Sequence, residues 1–121
     1  MKIIHVVLIL CFIYMKCAAQ QPNYAKCAVI TNKTRQDVMI YVTYTSGENE
    51  KKKMKVIPSG ETYKFDEIKE TSGTFDTVYR VTAMCAHTRS GMYSSQKILV
   101  EGVVDCVNRT VTEMGNRLMI E

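Results

Sequence analysis

Residues 37–45, written DVMIYVTYT, alternate side chains at a spacing of two. Val38, Ile40, Val42 and Tyr44 form one row, and Met39, Tyr41, Thr43 and Thr45 form the other. That period places the rows on opposite faces of a β-strand, one apolar and one semi-polar. Branched and aromatic side chains suit the pleated surface. A second series, Phe75, Thr77, Tyr79, Val81, Ala83 and Cys85, is opposed by Thr74, Asp76, Val78, Arg80, Thr82 and Met84. Its first row predicts the buried face, with Cys85 at the edge of a core.

Glycine punctuates these segments. All six glycines follow residue 46, at intervals of 11 to 18 residues, and four are preceded by serine: Ser46-Gly47, Ser59-Gly60, Ser72-Gly73 and Ser90-Gly91. Such pairs favour turns, because glycine accepts positive φ and serine bonds to nearby backbone. Further extended segments are expected at residues 27–30, 53–57, 61–65, 92–100 and 103–114, with a terminal strand at 117–120. Residues 66–71 alone have helical flavour and predict one helical turn or a loop. Alternating strands bury their apolar faces when two sheets pack together. The expected fold is therefore all-β: a seven- or eight-stranded antiparallel sandwich of immunoglobulin-like or related topology. The chain has no tryptophan to complete the core signature of an antibody domain.

The first residues read differently. Met1-Lys2 is followed by an almost continuous apolar run from Ile3 to Tyr14, and Cys17-Ala18-Ala19 places small residues where a signal is cleaved. Residues 1–19 are expected to be a signal peptide and 20–121 a single secreted domain. The apolar run is too short for a retained membrane helix, and nothing later approaches eighteen apolar residues, so no transmembrane segment is expected. A domain of this size buries a modest core, and a disulfide would contribute a large share of its stability.

Removing the signal changes the charge and cysteine arithmetic. The full chain has 16 Lys+Arg against 12 Asp+Glu. Without Lys2 and Lys16 the excess falls to two, which disfavours a general nucleic-acid binder. Cys11 and Cys17 also leave, so Cys27, Cys85 and Cys106 enter an oxidising compartment. Three internal pairings exist. Cys27–Cys85 suits a bridge across an immunoglobulin-like core, Cys85–Cys106 is its rival, and the odd thiol is left free or forms a disulfide-linked homodimer. Scattered cysteines and a single remaining histidine, His87, argue against a metal site.

Several residues are candidates for function. Asn32-Lys33-Thr34 and Asn108-Arg109-Thr110 are N-glycosylation acceptor patterns, at Asn32 and Asn108. Lys51, Lys53 and Lys55 project together from a strand, either guarding a sheet edge or contacting a sulfated glycan or another anionic partner. Asp66, Glu67 and Glu70 lack the pocket geometry of paired catalytic carboxylates. His87 lacks an orienting third group, so no catalytic residue and no cofactor is expected. With Arg89 it marks a candidate partner-binding loop. Six tyrosines past the signal offer recognition surface or core. The sequence therefore points to a non-catalytic, secreted glycoprotein that binds an extracellular protein or serves as a structural component. Alternatives are an inhibitor of an extracellular hydrolase acting through residues 86–91, and an extracellular carrier or anionic-glycan-binding protein.

Overall fold

The computed structural model describes residues 23–121, and the expected signal segment at 1–19 lies outside the described residues. Nine strands follow one another: β1 (Tyr24–Asn32), β2 (Val38–Ser46), β3 (Asn49–Ile57), β4 (Thr62–Asp66), β5 (Ile68–Ser72), β6 (Phe75–Thr88), β7 (Ile98–Leu99), β8 (Val103–Met114) and β9 (Arg117–Ile120). No helix occurs among the described residues, so none there is long and apolar enough to cross a membrane. The strands form a curled, mixed half-barrel sheet with the order β3-β2-β6-β1-β8-β9; β4 lies beside β1, and β5 and β7 lie beside β6.

The all-β expectation holds, while its details change. There are nine strands rather than seven or eight, and one curled sheet takes the place of two antiparallel ones. β1 and β8 run parallel, in register from Tyr24 opposite Val103 to Asn32 opposite Val111. Turn signals announce hairpins, whereas a parallel pair needs a long crossover with no local signature. Residues 66–71 are extended rather than helical: β4 ends at Asp66, and β5 pairs with Phe75–Tyr79 across the turn at Gly73. Cross-strand pairing overrides the helical preference of Lys69 and Glu70. Of residues 92–100, only Ile98 and Leu99 form a strand.

The turn chemistry follows the sequence closely. Ser46 pairs with Asn49, leaving Gly47-Glu48 as a two-residue loop in which Gly47 has φ +59°. Ser72 pairs with Phe75 around Gly73-Thr74 in the same way, with Gly73 at φ +63°. A single positive φ at the first loop position fits a type II′ hairpin, whose twist matches that of the flanking strands.

One core joins the inward faces. Val38, Ile40, Val42 and Tyr44 of β2 are all fully buried, as their alternation predicts. They meet Ala28 and Ile30 of β1, Phe65 of β4, Val81, Met84 and Ala86 of β6, Val111 of β8 and Leu118 of β9. Each fully buried large apolar side chain contributes roughly 1.5–3 kcal/mol relative to exposure.

β6 breaks its own alternation. Thr43 faces Ala83 and Tyr44 faces Val81, so Thr82 is an extra residue without an opposite number. The Thr82 hydroxyl hydrogen-bonds that of Thr45 at 2.8 Å, holding the bulge. Past it the phase flips: Tyr79 and Val81 point inward, and then Met84, Ala86 and Thr88 do. A bulge shifts the register by one residue and exchanges the faces. The predicted row therefore faces inward only at Tyr79 and Val81, while Ala83 is buried on the other face, opposite Thr43. Phe75 is exposed, and Cys85 is turned to the outer face.

Tyr44 leaves one loose end in this core, because its hydroxyl is buried without a hydrogen-bond partner. Its pKa is pushed up to about 12, chiefly by burial and further by Asp66 and Tyr63. The folded state thus holds this proton more tightly than the unfolded chain. The resulting stability is complete below pH 10 and is lost as pH rises toward 12. Tyr44→Phe is expected to preserve stability within about 1 kcal/mol at pH 7, since it removes an unsatisfied donor. It should also flatten the alkaline fall; unfolding midpoints between pH 9 and 12 that run parallel in both proteins would refute the assignment.

Candidate functional site

The outer face of β2, β3 and β6 gathers chemistry that the sequence scatters. Tyr41 of β2 sits opposite Cys85 of β6 and Met54 of β3, while Thr43 sits opposite Lys52. Cys85 and His87 are two residues apart and, beyond the bulge, share this face. Cys85 Sγ lies 3.8 Å from His87 Nε2, and the His87 ring meets Tyr41 edge-on with centroids 5.3 Å apart. Together with Lys52, Thr43, Met84 and Lys97 they line a cavity of about 230 Å3.

The thiol at this cavity is held back by burial. Burial pushes the Cys85 pKa up, while Lys52 and Lys97 act in the opposite direction. A partly buried thiolate is poorly solvated, so the neutral thiol is favoured until a base or an approaching ligand changes the balance. A larger cavity of about 450 Å3 beside β9 contains one ionisable side chain, Arg117.

Cys27 and Cys106 form the disulfide. They are direct partners in the parallel β1–β8 ladder, with Cα atoms 4.5 Å apart. Neither pairing weighed from spacing is made, because both used Cys85, which the bulge directs outward on another part of the sheet. Cys85 has no disulfide partner among the described residues.

The lysine row lies on β3, an end strand of the sheet order. Lys51, Lys53 and Lys55 pair with Tyr44, Val42 and Ile40, which places them on the inward side of that edge. Lys51 is ion-paired with Glu70 and sits 5.0 Å over the Tyr79 ring, and Lys55 sits 4.9 Å over that of Tyr63. Inward-pointing charges on an edge strand oppose pairing with another chain. Lys52, with the opposite phase, belongs to the Cys85 cavity instead.

The two acceptor asparagines have opposite environments. Asn108 is exposed on β8. Asn32 is fully buried: its Nδ2 donates to the carbonyls of Gln36 and Ile57, both at 2.8 Å, and its Oδ1 accepts from the backbone N–H and hydroxyl of Thr34. An N-linked sugar would consume one of the two amide hydrogens and has no room there.

His87 and Arg89 do not form one loop. β6 continues to Thr88, which is buried between them, and Arg89 turns away to Asp37 at 3.7 Å. This also shortens the segment offered to a hydrolase cleft, since residues 86–88 are strand. The acidic residues are separately engaged, Asp66 with Lys64, Glu67 with Arg80 and Glu70 with Lys51.

Comparison with known proteins finds no matching family model, curated protein or solved structure. The reading of function therefore rests on the surface itself.

The sequence missed the convergence of Tyr41, Lys52, Cys85, His87 and Lys97. Cys85-x-His87 was the available signal, since two strand residues at that spacing share a face. The unseen bulge decided which face.

Proposed function

We propose that this chain is an exported, non-catalytic binding module, glycosylated at Asn108, that accepts an extended segment of an extracellular protein along the edge of β8. The observation that carries the reading is the unpaired half of that strand. β1 bonds one side of β8, but β9 pairs with the other only at residues 111–114, extended by reciprocal backbone bonds between Thr110 and Glu121. Thr110 directs its N–H and carbonyl toward Glu121, so strand alternation aims those of Asn108 and Cys106 to the same side. No strand among the described residues meets them there. The β1 ladder skips the Lys26–Asp105 position, and Val104, next to the Gly102 carbonyl that accepts from Tyr24, faces β1.

Such an edge is a template for strand addition, in which main-chain bonds supply affinity and side chains supply specificity. Its composition supports that use. Val103 is 62% exposed, and Val104 is also exposed. The β3 edge carries its lysine row, whereas this edge has only Asp105 and Arg109 as charges. Asn108 lies on the outer face, so its glycan would limit the edge from one side and leave the stretch around Cys106 open in the sheet plane.

Asn108→Pro tests the reading, with Asn108→Gln as the control that loses only the sugar. Proline at 108 removes an N–H that β1 does not use, so folding should be preserved. Capture of the partner from native extracellular fluid should drop at least tenfold for Asn108→Pro and remain for Asn108→Gln and Lys53→Gln. Equal capture by Asn108→Pro and Asn108→Gln would overturn the assignment.

A further inference from the structure

We propose that the Cys85 cavity is a covalent docking site for a small, carboxylate-bearing thiol, which it takes as a mixed disulfide by exchange with the corresponding low-molecular-weight disulfide. The proposal does not rest on strand addition at β8.

Three features converge on it. The thiol lines a recess of about 230 Å3 rather than standing on a convex surface. That volume is below the usual range for drug-sized ligands and suits a compact molecule. Lys52 and Lys97 line the same recess and lie close enough to act on the sulfur electrostatically. They supply two ammonium groups for an anionic ligand. His87 Nε2, 3.8 Å from Sγ, is placed to take the thiol proton.

The same charges decide between a small ligand and a second copy of the chain. A symmetric Cys85–Cys85 bridge would bring two Lys52 and two Lys97 side chains together and would require two recessed sulfurs to meet. Like-charge crowding opposes that contact, whereas carboxylates on a small thiol neutralise it. The disulfide-linked homodimer expected from the odd cysteine is therefore replaced by a monomer with a capped thiol.

The exchange balances without a further oxidant. The Cys85 S–H bond breaks, its proton passes to His87 Nε2, and the thiolate attacks one sulfur of the incoming disulfide. The old S–S bond breaks as the new one forms. The departing thiolate is the reduced product and recovers the proton from His87. Extracellular compartments sustain such small disulfides.

The test uses the oxidised full domain with two disulfides of equal length, dithiodipropionate with two carboxylates and cystamine with two ammonium groups, followed by intact mass. One equivalent of the carboxylate thiol should add at Cys85, about tenfold faster than the cationic one at low ionic strength. High salt should compress that ratio, because the attraction is screened. Lys52→Gln and Lys97→Gln, both surface changes, should each lower it, and Cys85→Ser should abolish adduct formation. Cystamine reacting as fast as dithiodipropionate would overturn the proposal, as would a Cys85-linked dimer forming in preference to the adduct on non-reducing electrophoresis.

Discussion

A Cys27→Ala/Cys106→Ala double variant is expected to lose about 4 kcal/mol of stability relative to the oxidised protein, the largest effect of any covalent change to this domain. The bridge joins residues 79 apart in sequence. Cross-linking so long a loop removes a large share of the unfolded chain's freedom, and native bridges in small exported domains typically contribute about 2–5 kcal/mol. Its position adds weight. Cys27 and Cys106 are direct partners of a parallel pair, whose contacts are all non-local and gain nothing from an adjoining turn. For a domain of this size a loss of about 4 kcal/mol lowers the thermal midpoint by about 20 °C. Reversible denaturation of the two proteins checks this. A difference below about 1 kcal/mol would mean that the ladder is held without its staple. Cys85→Ser serves as the control and should leave the midpoint nearly unchanged.

Asn32→Ala is expected to cost about 3–4 kcal/mol despite changing a single polar residue. The Asn32 side chain binds four groups, and its backbone N–H donates to Glu61 while its carbonyl accepts from Gly60. One residue thereby ties the end of β1 to the entry of β2 and the exit of β3. Truncation strands the Ile57 carbonyl and the Thr34 N–H in the interior and leaves a small cavity, and each orphaned group costs about 1–3 kcal/mol. Asn32→Asp sharpens the test, because an ionised carboxylate would face two carbonyls that need donors. Folding then favours the protonated acid, so its folded pKa lies above the unfolded value. Stability of that variant should be highest below about pH 4 and fall as pH rises. A variant as stable as the parent at pH 7 would remove Asn32 from this role. Glycosylation supplies an independent check: enzymatic deglycosylation followed by mass measurement should locate sugar at Asn108 and none at Asn32.

Particular residues show how far the sequence could be read. Val38, Ile40, Val42 and Tyr44 are buried as their alternation predicts, and Ser46-Gly47 and Ser72-Gly73 close hairpins as their turn chemistry predicts. These are local matters, settled by strand period and backbone freedom within a few residues. Asn32 illustrates the limit: an acceptor pattern and a buried turn anchor have the same three letters, and burial separates them.

The chain itself, before any tertiary contact, determined an all-β architecture, the position of most strands and turns, and the charged character of β3, because period, turn residues and charge are local properties. Tertiary structure decided the parallel β1–β8 pair, the Cys27–Cys106 bridge and the outward turn of Cys85 toward His87, Lys52 and Lys97. The first two depend on strands meeting across 79 residues. The third depends on one extra residue, Thr82, which has meaning only against its partner strand. Register is a relation between two strands, and neither strand carries it alone.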